Sequence, residues 1–129
     1  MKKYTCTAAD IKKIIKAREI ISNEFNKAFS LTRLARRVGM SPQKLHVLFK
    51  ESQLFSPREY QIEHRVAEGI VLLAENKLRI YEIAWACGYE TTDPFSKLYK
   101  RHTGLAPSKW RALYLKNPKG GYPTVKKPR

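Results

Sequence analysis

Two short stretches of this 129-residue chain carry side chains suited to reading the edges of a nucleic-acid duplex. In VGMSPQKLHVLFK (38–50), Gln43 can pair with adenine, His46 can donate to guanine and Val47 can touch a thymine methyl, with Lys44 on the same outward face. In CGYETTDPFSKLYK (87–100), Asp93 can accept from cytosine N4, and Thr92, Ser96 and Lys97 share its face. Phosphates would fall to Lys50, Lys100 and Arg101 and to the backbone N–H groups at Ser41 and Thr91. Plainer uses compete with several of these. Gln43 and Lys44 can be solvated first-turn residues, His46 can stack on a neighbouring helix, and Asp93 can complement a helix dipole.

Other chemistries lack their parts. His64 and His102 have no ligand partners at helical spacing, and Cys6 and Cys87 lie 81 residues apart without a Cys-x-x-Cys pair. No metal, cofactor, disulfide framework or catalytic set is therefore expected. Repair regulators that accept methyl groups on cysteine are excluded for the same reason, since that chemistry needs a zinc-bound cysteine cluster.

Charge narrows the partner. Lys and Arg number 26 against 11 acids, a net of +15. The excess is spread along the chain, with seven bases against three acids over 1–29, fourteen against eight over 30–113, and five against none over 114–129. A polyanion is the expected partner, although a ribosomal protein or a membrane-surface helix could show the same total. No apolar run approaches the roughly 18 residues of a membrane-spanning helix, and the opening MKKYTCTAADIKK lacks the apolar core of a secretory signal. A soluble, cytoplasmic protein is expected.

Apolar residues recur at three and four and strand signals are almost absent, so the expected fold is all-α. The spacing predicts a first helix over 9–27 with Ile11, Ile14, Ile15, Ile21 and Phe25 on one face, and a second over 31–38 capped by Ser30. A third runs from Pro42 to about 52 behind Ser41, with Leu45, Leu48 and Phe49 inward. Ser56-Pro57 opens a fourth, to about Asn76, roughly 30 Å long at 1.5 Å per residue. A fifth covers 79–87. The sixth begins behind Thr91 and runs to about His102, with Phe95, Leu98 and Tyr99 inward and Pro94 tolerated in the first turn. A seventh follows Pro107 and carries Trp110 and Leu113; the tail from 115 to 129, with three prolines after Leu115 and no acid, reads as flexible.

The line also repeats. Ala35-x-x-x-Gly39 recurs as Ala84-x-x-x-Gly88 at an offset of 49, while Leu48-Phe49-Lys50 and Pro57-x-x-Tyr60 recur as Leu98-Tyr99-Lys100 and Pro107-x-x-Trp110 at an offset of 50. A small residue lets a second helix cross closely, a glycine four later turns the chain, and an apolar residue beyond closes the core. That is the helix-turn-helix pattern, written twice. The stretches LARRVGMSPQKLHVLFK, FSPREYQIEHRVAEGIVLL and IYEIAWACGYETTDPFSKLYKRHTGLAPSKWR, with their G-[FY]-x(5)-F-x(3)-[FY]-K and G-x-x-P-x-x-[WY]-R spacings, resemble the AraC/XylS family of bacterial transcription regulators over about 9–112.

The resemblance implies seven helices: an N-terminal helix and first helix-turn-helix subdomain over 1–56, a bridging helix over 57–76, a second subdomain over 77–114 and a basic tail. The roughly 30 Å of the fourth helix nearly matches the roughly 34 Å between successive major-groove faces on one side of a duplex, so one chain is expected to insert recognition helices at about 42–52 and 92–102 into successive major-groove segments of double-stranded DNA as a monomer. The resemblance adds promoter DNA, bent to accept both helices, at the nucleoid. An activator rather than a repressor is expected, with RNA polymerase as a further candidate partner. The sequence departs from the family pattern at Val47, Leu54, Gly69 and Asp93-Pro94. An architectural protein binding DNA by charge alone is the alternative. The length leaves no room for a separate effector domain, and Met1 favours a stand-alone regulator over a piece of a larger one.

Overall fold

The computed structural model describes residues 4–123, and among them the regular structure is entirely helical. In chain order the helices are α1 (Ala8–Asn23), α2 (Leu31–Val38), α3 (Pro42–Gln53), α4 (Pro57–Glu75), α5 (Ile80–Ala86), α6 (Thr92–Thr103) and α7 (Pro107–Lys116), followed by a 3-10 turn at Pro118–Gly120. The chain divides into two compact units, 1–64 and 65–129, with the division inside α4. The expected bridging helix is thus shared, its first two turns belonging to one core and the rest to the other.

In the first unit, α1 starts at a capping box. Asp10 N–H donates to the Thr7 hydroxyl at 3.1 Å and Thr7 N–H donates back to the Asp10 carboxylate at 3.0 Å, satisfying two of the donors a helix start leaves over. The helix ends at Asn23, four residues short of the expected end, so Phe25 lies beyond it. Its buried face is Ile14, Ala17 and Ile21, while Ile11, 52% exposed, and Ile15 stand outside it. The core accepts a stripe narrower than the apolar spacing offered. Leu34, Ala35 and Val38 of α2 and Leu45, Leu48 and Phe49 of α3 complete that core.

The turn between α2 and α3 works as its residues predict. Ser30 and Ser41 accept from the N–H groups of Arg33 and Lys44, both at 3.2 Å, and Gly39 ends α2 in the left-handed region at φ 75°. Ser56 and Glu59 form a second capping box, at 3.2 and 2.8 Å, that starts α4. Tyr60 then meets Phe49 edge-on at 5.5 Å, and the buried Gln61 donates to the carbonyls of Phe25 and Lys27 at 3.0 and 2.7 Å. These two side chains fasten the first turns of α4 to the first unit.

In the second unit, Leu73, Ile83, Ala84, Cys87, Phe95, Tyr99 and Trp110 form the core. Gly88 carries the turn at φ 97°. At Gly69, in mid-helix, the Phe95 ring lies 3.1 Å from where a Cβ would stand, so a side chain there would press on that ring. Arg111 donates to the Leu73 carbonyl at 3.1 Å, near the end of α4 where carbonyls lack helical partners. Two expectations are corrected: helix α5 is one residue shorter at each end than expected, and Leu98 is only half-buried. On α7 the buried position belongs to Trp110, and Leu113 is exposed.

The tail is also corrected over 115–123. Helix α7 continues to Lys116, and the chain then returns so that the Trp110 indole N–H donates to the Pro123 carbonyl at 3.0 Å. Tyr122 packs 5.5 Å from both the Trp110 and Tyr114 rings. The remaining tail positions, 124–129, lie outside the described residues.

Candidate nucleic-acid interface

Burial of Leu45, Leu48 and Phe49 fixes which face of α3 turns outward. Gln43, His46 and Lys50 are exposed there with Ser41, whereas Val47 is partly buried. Lys44 turns back instead. Its Nζ lies 3.2 Å from the Asp10 carboxylate on α1. On α6, burial of Phe95 and Tyr99 leaves Asp93, Lys97, Lys100 and Arg101 exposed with Thr91, while Thr92 and Ser96 are partly buried. Thr91 occupies the N-cap in extended conformation, but its hydroxyl makes no capping bond, so the capping role expected of its side chain is not filled.

The two units thus present equivalent faces of unlike chemistry. At the shared offset, Gln43 corresponds to Asp93, His46 to Ser96, Val47 to Lys97 and Lys50 to Lys100. Lys100 and Arg101 lie in the last turn of α6, where positive charge complements the helix dipole, and Asp93 lies in its first turn, where negative charge does.

Sequence patterns alone miss two α1 side chains that hold this region. Besides Asp10, Lys13 donates from Nζ to the Gly39 carbonyl at 3.0 Å, gripping the turn itself. The Thr7-x-x-Asp10 spacing announces a helix start, yet nothing local announces a partner 34 residues away. The Thr7 N–H, followed by Lys44, holds the Asp10 carboxyl below its ordinary pKa.

Two other chemically able groups, His64 and Cys87, are taken up by packing. His64 shares a 3.2 Å hydrogen bond with the Ser22 hydroxyl and meets the Tyr60 ring edge-on at 4.7 Å. Burial pushes the Cys87 thiol up to about 12, so it is no nucleophile at neutral pH. Among the described residues, no group of three His, Cys, Asp or Glu could hold a metal ion, and no helix is long and apolar enough to cross a membrane.

A family model described as a helix-turn-helix domain matches residues 34–113, from α2 through most of α7. The crystal structure of a transcriptional regulator of the AraC-type DNA-binding-domain class from Chromobacterium violaceum superposes with a TM-score of 0.73 at 27% identity, over 86% of this chain and 99% of that one. The chain belongs to the AraC/XylS family.

Other members extend the comparison. The uncharacterized transcriptional regulator YdiP of Escherichia coli K12 is 32% identical over 114 residues, covering 86% of this chain and 38% of its own. The transcriptional activator RhaR of Salmonella schwarzengrund is 29% identical over 93 residues, covering 72% and 33%. The chain therefore spans little more than a third of the length of these AraC/XylS relatives. The family resemblance and the all-α, seven-helix architecture expected from the repeats are both borne out.

Proposed function

We propose that the chain is a sequence-specific regulator of transcription that binds double-stranded DNA as a monomer. The observation that carries this reading is the repeated outward face: Gln43, His46 and Lys50 on α3, and Asp93, Lys97 and Lys100 on α6, stand exposed on opposite sides of their helices from buried aromatic and leucine side chains. Gln43, His46 and Val47 read one half of the site, and Thr92, Asp93, Ser96 and Lys97 read the other. Lys50, Lys100 and Arg101, with the N–H groups at Ser41 and Thr91, meet phosphates. Because the faces differ, the site is asymmetric.

Relatives named as activators support an activating role in the bacterial cytoplasm, with RNA polymerase as partner. The net charge of +15 supports a second reading, an architectural protein that binds DNA without choosing sequence. Selection of bound duplexes from a random library, followed by competition with random DNA, separates the two. A specific site retained by roughly 10³ or more in affinity is expected. No enriched sequence would leave the architectural reading, and a log–log salt slope near zero would sink DNA binding altogether.

A further inference from the structure

A lysine in the first turn of a reading helix faces the positive end of that helix's dipole, so it needs a negative partner. Lys44 is the third residue of α3, and its partner in the protein is Asp10, at 3.2 Å. The two members are unequal. The Asp10 side chain is 6% exposed and that of Lys44 30%. The oxygen that receives the ammonium, Oδ2, also accepts the Thr7 N–H at 3.0 Å, while the Asp10 N–H donates to the Thr7 hydroxyl. The carboxylate is thus fixed to the start of α1 by the backbone, and it is the lysine that is held. Lys13, one turn along α1, fixes the same helix to the Gly39 carbonyl. The arrangement has no counterpart on α6, where the equivalent position is Pro94.

We propose that Asp10 sets the specificity of the half-site read by α3: by holding the Lys44 ammonium against α1 it withdraws a mobile cation from the groove and leaves the reading to Gln43 and His46. The inference rests on the DNA-binding reading above and deepens it. Lysine in a groove is a flexible point charge that can donate to guanine or to a phosphate wherever one comes near, so a freed Lys44 adds affinity with little sequence choice. Asp10 acts through Lys44 and makes no contact with DNA. It is a positioning residue.

The test compares Asp10→Asn, Lys44→Gln and the double variant with the native chain, by salt titration of binding to random and selected duplexes and by selection from a random library. Asparagine keeps an oxygen for the Thr7 N–H but loses the charge. Asp10→Asn is expected to steepen the log–log salt slope by about 0.9, one added phosphate contact, so that between about 50 and about 200 mM salt it loses roughly three to four times more affinity than the native chain. It should blur base preference in the α3 half and leave the α6 half unchanged. Lys44→Gln should leave both slope and profile as they are, and the double variant should return the native slope. A slope that stays native in folded Asp10→Asn, or one that Lys44→Gln makes shallower by about one contact, overturns the proposal. If Asp10→Asn fails to fold, Lys44→Gln decides by itself. Native protein whose binding ignores salt would instead remove the DNA-binding reading, a result distinct from either of these.

Discussion

Leu54 and Gly104 end α3 and α6 in the same left-handed turn, at φ 70° and ψ −6° in one and φ 86° and ψ −7° in the other. Each donates its N–H to a lysine carbonyl four residues back, Lys50 at 3.0 Å and Lys100 at 2.8 Å. Leucine at this backbone conformation is strained, and its side chain, 83% exposed, recovers little by packing. The turn is imposed by what flanks it: the end of α3 and the Ser56 capping box that starts α4.

Leu54→Gly should therefore raise stability by about 1 kcal/mol, somewhat reduced by the greater freedom of glycine in the unfolded chain. Thermal or urea melts would register it as a gain of a few degrees or an upward shift in midpoint. Unchanged or lower stability would mean that Leu54 makes a compensating contact.

Gly69→Leu should destabilise the second unit by about 2 kcal/mol, because a Cβ already approaches two atoms of the buried Phe95 ring at 3.1 Å and that ring packs 5.7 Å from Tyr99. Gly69→Ala should cost far less, since the gain in helix propensity, about 1 kcal/mol, offsets a small shift of the ring. Denaturant titration of both variants checks the order; equal effects would contradict it.

Stability should fall as pH drops through the ordinary histidine range, and part of that fall belongs to His64. Burial lowers its pKa from 6.5, with Glu63 opposing, so the folded protein favours the neutral ring packed on Ser22 and Tyr60. Below about pH 6.5 the unfolded chain binds the proton more readily, and stability declines until the folded ring also titrates. Asp10, Glu24 and Glu59, whose pKa values are lowered, add losses only at more acid pH. His64→Gln should flatten the loss of urea midpoint between about pH 7.5 and about pH 5.5. A variant with the native pH profile would argue against it.

Replacing Gln43 and His46 by alanine should relax base preference in one half of the bound site, and Lys97→Ala should act on the other, the halves lying about 10 base pairs apart. Profiles selected from random duplexes read this directly. Loss of preference in both halves from either change, or two chains on a palindrome, would refute the bipartite monomer.

Much of the architecture was legible because its signals act within a few residues. Ser30, Ser41 and Ser56 each cap the helix they precede, Gly39 and Gly88 take the positive φ their turns require, and the two repeats announce two like units. Periodicity also oriented α3 correctly, since burying Leu45, Leu48 and Phe49 leaves only one face for Gln43 and His46. Tertiary structure decided what depends on which element passes nearby. It left Ile11 and Ile15 of α1 outside a core that accepts a narrower stripe, and it brought Pro123 and Tyr122 back onto Trp110. It also turned Lys44 away from the outward face of α3 toward Asp10, 34 residues earlier. Local chemistry specifies helices and turns because caps and periodic faces are properties of a segment. The partner of a charged side chain is a property of the packing, because it is chosen only when distant segments are brought within a few ångströms.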